Sequence, residues 1–348
     1  MYRFFVLSVA ALWLPGCAIH PLPENVTGVD TPDIVRQIRC EAREAVIDQV
    51  KKFLAVRAPT DPISRRLLAR YDDYPETISE FKPEVFPQTK GYYKTTYQLV
   101  KLFYGAGVAY TFDLKMAEFN DINPNSVNLL RPSPPQPKFT LGVGAGLLLD
   151  RSNERKFTST DTFESLLKLN VEVRGRRYCS GFIVQENFVY PIAGKIGVAK
   201  VIHDFINLTL FEGLGSKGTP PAMTDDLVFT TTKSVSVNPA ISFTPLGRSL
   251  QVSDASLMGS FKRSDVHEVI VGVAIDKDDV PDLAPVRGYL FSDRRNGNPL
   301  VAARPAAFTG SGLFIGNRVI GGGTNSQRLA VIANDQAKSP QVQIVTPP

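Results

Sequence analysis

Serines, histidines and alternating glycines are where this chain could do chemistry, and their spacing limits what that chemistry can be. Ser216 lies in Leu214-Gly215-Ser216-Lys217-Gly218 and Ser311 in Thr309-Gly310-Ser311-Gly312. A nucleophile elbow needs glycine two residues before its serine, and here those positions hold Leu214 and Thr309. A serine nucleophile also needs a base, usually histidine. The chain has His20, His203 and His267. His203 and Asp204 adjoin on a helical pattern, which points their side chains in different directions. Structural or surface roles suit all three histidines better. Gly142, Gly144 and Gly146 occupy alternate positions of a strand pattern, whereas a dinucleotide loop needs G-x-G-x-x-G between strand and helix. Glycine on one strand face instead permits curvature or close backbone packing. Asp276, Asp278, Asp279 and Asp282 form the densest acidic patch but lack the glycine and final glutamate of a calcium loop. A solvated turn fits them. The chain shows no C-x-x-C, H-x-x-x-H or H-E-x-x-H spacing. No catalytic set, metal site or cofactor is expected, which favours a non-enzyme.

Three cysteines remain, Cys17, Cys40 and Cys179. Cys17 follows Arg3, an apolar run over residues 4–14 and the pair Pro15-Gly16. A basic start, an apolar centre and a small residue at the cut are the layout of a secretory signal. The run is eleven residues, against the ~20 of a spanning helix. Leu14-Pro15-Gly16-Cys17 resembles the lipobox of bacterial lipoproteins, a likeness confined to about the first 18 residues. It implies that residues 1–16 are removed and that Cys17 is diacylated, two acyl chains being enough for stable anchoring. Ala18, in place of the aspartate that retains such proteins at the inner membrane, implies the outer membrane, on its periplasmic or surface face. Trp13 is the sole tryptophan, so the processed protein is expected to show no tryptophan fluorescence.

With Cys17 acylated, Cys40 and Cys179 share an oxidising compartment. A disulfide between them closes a loop of about 140 residues, worth about 4–5 kcal/mol in the chain-entropy model. Helical spacing puts Cys40 opposite the apolar stripe of its helix, and the alternative is two unpaired thiols, one of them exposed. An exposed thiol is a liability there, which favours the bridge.

The elements that position these residues change character along the chain. Residues 17–30 read as a tether. Thr31-Pro32-Asp33 offers a capping hydroxyl, a first-turn proline and an early acid. Apolar residues then follow at helical spacing from Ile34 to Leu54, with Glu41, Arg43, Glu44 and Lys51 mostly off that face. Asp61-Pro62 starts a second helix. The aromatic stretch 92–104 fits helix or strand. Beyond it the period becomes two: Val108, Tyr110, Phe112, Leu114 and Met116 predict a half-buried strand. An Asn- and Pro-rich loop is expected over 120–138, a strand over 139–149, a hairpin turn at 150–154 and a returning strand over 156–163. A short helix over 161–170 and strands at 171–175 and 177–190 follow. A helix over 194–211 comes next, then strands at 226–232, 234–244, 249–261 and about 269–275. Residues 292–348 are rich in Gly, Pro and Ala and read as a partly disordered tail, with one strand near 313–320.

The fold class expected is therefore α+β. It has a signal (1–16), a tether (17–30), a helical region (31–105), a mostly antiparallel β-rich body (106–291; a sandwich or curved sheet) and the tail (292–348). Long alternating strands also suit a transmembrane barrel. The low strand count and the intervening helices favour a soluble sandwich or mixed domain instead. A 43% hydrophobic and 21% charged composition is that of a folded globular chain. A net charge of +5 without Lys/Arg clusters argues against nucleic-acid binding. The expected function is that of a lipid-anchored, non-catalytic binding or accessory subunit of an envelope assembly, with the membrane and an envelope protein as partners. A lipid or small-ligand carrier with its pocket near the Gly142–Gly146 strand is the alternative, and a hydrolase with a site assembled from distant residues the second.

Overall fold

The computed structural model describes residues 20–23, 25, 29–89, 91–130, 138–141, 147–169, 172–173, 176–179, 187–215, 219–237, 240–242, 251–290 and 324–337. Helices lead and an antiparallel sheet follows, so the chain is α+β. It divides into two compact units. The larger comprises Val29–Asp113, Arg155–Phe229 and His267–Pro348, the smaller Met1–Gly28, Leu114–Glu154 and Thr230–Val266.

In the larger unit, α1 (Thr31–Arg57) carries Pro32 in its first turn, where the fixed φ of proline suits the helix. The capping position is Asp30, and Thr31, expected as the cap, instead accepts a hydrogen bond from Arg155 Nη1 at 2.6 Å. The stripe Ile34, Ile38, Ala42, Ala45 and Val46 is buried as its spacing predicts. Cys40 and Glu41 are buried too, because other segments close over the opposite side of the helix.

α2 (Pro62–Asp73) is capped by Asp61, whose carboxylate accepts from Ile63 N at 3.1 Å and Ser64 N at 3.2 Å. The hydroxyls of Ser64 and Tyr93 donate to it as well. Burial by itself would raise this carboxyl's pKa, and the four hydrogen bonds outweigh it and hold the group below its usual value. Its contribution is therefore present above the unfolded pKa and lost as pH falls through the lower folded one. Asp61→Ala is expected to cost about 1–2 kcal/mol at neutral pH. The gap to wild type should close only below about pH 4. Urea midpoints at neutral and acid pH check this, and a gap unchanged in acid would refute it.

The aromatic stretch resolves as a helix, α3 (Tyr92–Tyr104). After it comes β1 (Gly107–Leu130), then β2 (Lys138–Leu141), β3 (Leu147–Thr162), α4 (Phe163–Leu167) and the short pair β4 (Glu172–Val173) and β5 (Arg176–Arg177). α5 (Val198–Leu210), β6 (Ala222–Val237), β7 (Ala240–Ser242), β8 (Gln251–Ala274), α6 (Val280–Leu290) and α7 (Asn325–Ala337) complete the α-helices and strands among the described residues. The sheet order is β2-β1-β8-β6, with β3 also pairing β1 and β7 pairing β8.

Several expectations change. β1 continues through the Asn-rich stretch to Leu130 because its backbone pairs with β2, from Val127 opposite Leu141 to Leu130 opposite Lys138. Residues 150–154, expected as a hairpin turn, lie inside β3. β8 is one strand where alternation suggested two. β1 is buried on both faces from Val108 to Leu114, not half-buried. One of those faces is covered by α7, which lies in the segment read as tail; residues 291–323 and 338–348 lie outside the described residues.

α7 approaches the sheet at backbone distance, and two glycines allow it. A Cβ on Gly107 would lie 2.4 Å from Gln327 N, and one on Gly272 2.6 Å from Ala330 O. Asn334, fully buried, then reaches the oxygens of Ile270 (2.9 Å), Thr111 (3.1 Å) and Ala109 (3.2 Å).

In the smaller unit two described runs of strand are exposed on both faces. Residues 148–152 of β3 and 232–237 of β6 are exposed without interruption. Met258, Ser260, Phe261 and Lys262 are exposed although β8 has a neighbouring strand on each side. A charged belt crosses this sheet. Arg263 Nη1 bonds Glu118 Oε1 at 2.8 Å, Arg151 Nε bonds Glu118 Oε2 at 2.6 Å, and Arg263 Nε bonds Asp265 at 2.9 Å.

Candidate functional site

α1, α3, α4 and α5 of the larger unit enclose an apolar pocket of about 400 Å³. It is formed by the stripes those helices turn inward, with Val46 and Phe53 from α1, Phe103 from α3, Phe163 from α4 and Leu210 from α5. The ring of Phe103 meets that of Phe205 edge to face at 6.4 Å. Arg57 closes one side. Its guanidinium stands 4.6 Å from the Phe53 ring centroid and 5.0 Å from that of Tyr92, and it donates to Thr96 Oγ1 at 2.9 Å. The mouth carries apolar side chains in water, Val56 at 82% exposure and Phe211 at 49%.

His203 sits at this mouth, between the side-chain amides of Asn207 (2.9 Å) and Gln49 (3.3 Å). Amides neither activate a nucleophile nor take its proton, so this edge can orient a polar group and leaves acid–base work unsupported. Asp204, its neighbour in sequence, is engaged by Lys200 at 2.6 Å. His267 is buried, its Nε2 against the Tyr190 hydroxyl and the two rings 5.3 Å apart. His20 is exposed. The structure does not bring the three histidines together.

Glu41 was missed by sequence reasoning. Its carboxylate accepts from Ile196 N and Gly197 N, each at 2.8 Å, at the start of α5. Free N–H groups and the positive helix end make a carboxylate favourable there. Gly197 supports that entry with φ 98°, a left-handed conformation suited to glycine. Only an acid one residue before a stripe position hinted at this contact.

Cys40 and Cys179 form a disulfide, with Cα atoms 5.6 Å apart. Around it Arg39 grips Asp161 with two bonds of 2.7 Å and reaches Tyr178 Oη at 3.1 Å. The bond to Asp161 chiefly holds the Arg39 pKa above its ordinary value. Arg36 donates to the Tyr178 carbonyl, and both guanidiniums stack on the Tyr178 ring. Tyr110 is fully buried beneath, and burial pushes its hydroxyl pKa well up. These groups orient and brace the bridge.

Of the other residues singled out by sequence, Asp276 accepts from Asp278 N at 3.0 Å, and Asp279 and Asp282 face Lys101. Among the described residues no three His, Cys, Asp or Glu side chains gather as metal ligands. Among those residues no helix is long and apolar enough to cross a membrane. Cys17, Gly142, Gly144, Gly146, Ser216 and Ser311 lie outside the described residues.

Fold and site together define an α+β protein whose helices enclose an apolar pocket and whose buried ionisable groups brace the structure. The chain belongs to the family described as uncharacterised protein y4kA, whose model matches residues 20–286. The uncharacterised protein y4kA of Sinorhizobium fredii is 31% identical over 287 residues, covering 81% of this chain and 85% of that protein.

Proposed function

We propose that this protein is a lipid-anchored, non-catalytic component of the bacterial outer membrane, acting as a subunit of an envelope assembly. The observation that carries the reading is in the sheet of the smaller unit, where residues 148–152 of β3 and 232–237 of β6 are exposed on both faces. Apolar side chains exposed on an open sheet mark a surface made to be covered. Cys17 supplies the anchor. Radiolabelled palmitate should enter the wild-type chain and not Cys17→Ser, and a defined complex should be recovered from detergent-solubilised membranes. A monomer that turns over an ester, glycan or peptide would sink the proposal.

The pocket supports a second reading, binding of an apolar ligand; the Gly142–Gly146 strand, where the sequence placed a carrier's pocket, lies outside the described residues. The pocket's volume of about 400 Å³ falls in the range of small-molecule sites. Decanoate is a suitable probe. It should bind saturably, and Ile206→Trp, which fills the pocket from α5, should weaken binding at least about tenfold, or 1.4 kcal/mol. Equal binding by both chains rules the pocket out.

A further inference from the structure

Along the described parts of β6 and β8 in the smaller unit, the two faces of the sheet differ in chemistry. Alternation along β6 puts Val235 and Val237 on one face and Thr232, Ser234 and Ser236 on the other. A Cβ on Gly259 of β8 would meet Val237 Cγ2 at 3.0 Å and Phe261 Cε2 at 3.3 Å. Val237, Gly259 and Phe261 therefore share a face, and Ser260 and Lys262 take the opposite one. The apolar members are open to solvent, Val235 at 59%, Val237 at 43% and Phe261 at 39%. Met258 on the hydroxyl face and Lys233 on the apolar face depart from the pattern, as do Phe119 and Leu148, which the Arg263–Glu118–Arg151 contacts and strand alternation put on the hydroxyl face. Lys233 has an explanation. Counting along the two strands from the Val237–Gly259 contact puts it level with Arg263, in the charged belt.

That belt marks where the apolar face ends, since Arg263 and Asp265 follow Phe261 at alternate positions of the same strand. The chain leading from Cys17 is held there. Leu22 O accepts from Arg263 Nη2 at 2.7 Å, and Pro21 O accepts from Asn153 Nδ2 at 3.2 Å. Four residues separate Pro21 from Cys17, a reach of at most about 14 Å. An acylated Cys17 must then enter its bilayer beside the apolar face.

The edges add a third constraint. The outer strands of the sheet are β3 with β2 on one side and β6 with β7 on the other. An open sheet edge is not tolerated in hydrocarbon, so a sheet in lipid must close. Four strand positions fall short of the eight of the smallest membrane barrels. β1 and β8 contribute residues 114–130 and 251–266 to this unit, each longer than the ~9–11 residues that cross a bilayer.

We propose that this two-faced sheet is one segment of a transmembrane β-barrel closed by further copies of the same chain, edge strand to edge strand. Val235, Val237 and Phe261 face lipid, and Ser234, Ser236, Ser260 and Lys262 face an aqueous lumen. The belt of Arg263, Glu118 and Arg151 lies at headgroup level. A head-to-tail contact of this kind closes into a ring when its rotation allows. The low strand count of a single chain ceases to be an objection, because each copy brings four. The proposal rests on the envelope reading above and names the partner as a second copy.

The test uses the full chain purified from membranes and reconstituted into phosphatidylcholine vesicles, with the Cys40–Cys179 bridge kept oxidised. Single cysteines are placed at Val235, Val237 and Phe261, and separately at Ser234, Ser236 and Ser260. A water-soluble maleimide is expected to label the serine sites at least tenfold faster than the apolar sites. Light scattering in detergent should give several copies per particle. Equal labelling of the two faces, or a particle of one chain, overturns the proposal. Palmitate labelling of wild type and Cys17→Ser scores the anchor separately. A chain without palmitate that keeps the labelling contrast retains the barrel and loses the anchor, and a palmitoylated monomer does the reverse.

Discussion

Replacing Cys40 and Cys179 together by alanine is expected to lower the stability of the larger unit by about 4–5 kcal/mol. The bridge joins residues 139 apart, so it removes much of the freedom of the unfolded chain. Little of the effect should come from the native side. Arg36 holds the Tyr178 carbonyl, and Arg39 holds both Asp161 and the Tyr178 hydroxyl, so the segment stays docked without the sulfur link. An unfolded chain freed of its cross-link also exposes more surface, which steepens the dependence on denaturant. Guanidinium unfolding should therefore show a lower midpoint and a larger slope for the double variant and for reduced wild type alike. Identical midpoints for oxidised and reduced protein would remove the bridge from the stability of the fold.

The α+β order was legible because both periods are clear in the chain. Ile34 to Leu54 repeat at helical spacing, and Val108 to Met116 alternate. Strand ends were not, because a backbone ladder holds residues that local preference assigns elsewhere. Asn120 to Asn128 stay extended in the strand that β2 and β3 pair with, and Asp150 to Glu154 remain in β3 because that strand pairs with β1. α7 escaped notice for a related reason. Its core contribution is small, mainly Ala330 and Val331, and its hold on the sheet comes from Asn334 and from Gly107 and Gly272 in other strands. A single-segment pattern cannot reveal such a contact. The pocket was hidden likewise, since each helix showed a core stripe and nothing local says that four stripes leave a space between them. The cysteine pair was legible, because two cysteines remain once Cys17 is read as acylated, and that count needs no geometry.

Glu41→Gln is expected to cost about 2–4 kcal/mol, a large loss for a change of one atom type. Both carboxylate oxygens are occupied, Oε2 by Ile196 N and Oε1 by Gly197 N. Bonds to a charged acceptor contribute roughly 1.5–3 kcal/mol each, and the positive end of α5 adds to them. An amide keeps one acceptor and turns an –NH₂ donor towards a backbone donor, so one bond is lost and a buried group is left unpaired. Glu44, three residues on and exposed, is the control. Glu44→Gln should change stability by no more than about 0.5 kcal/mol, as surface substitutions do. The contact also governs function under the pocket reading, because α5 brings His203, Ile206 and Leu210 to the pocket. Loosening its first turn should weaken decanoate binding in Glu41→Gln and leave Glu44→Gln unchanged. Urea midpoints and decanoate titrations on the three chains decide it. If Glu41→Gln matches wild type in both, the carboxylate neither holds α5 nor shapes the pocket.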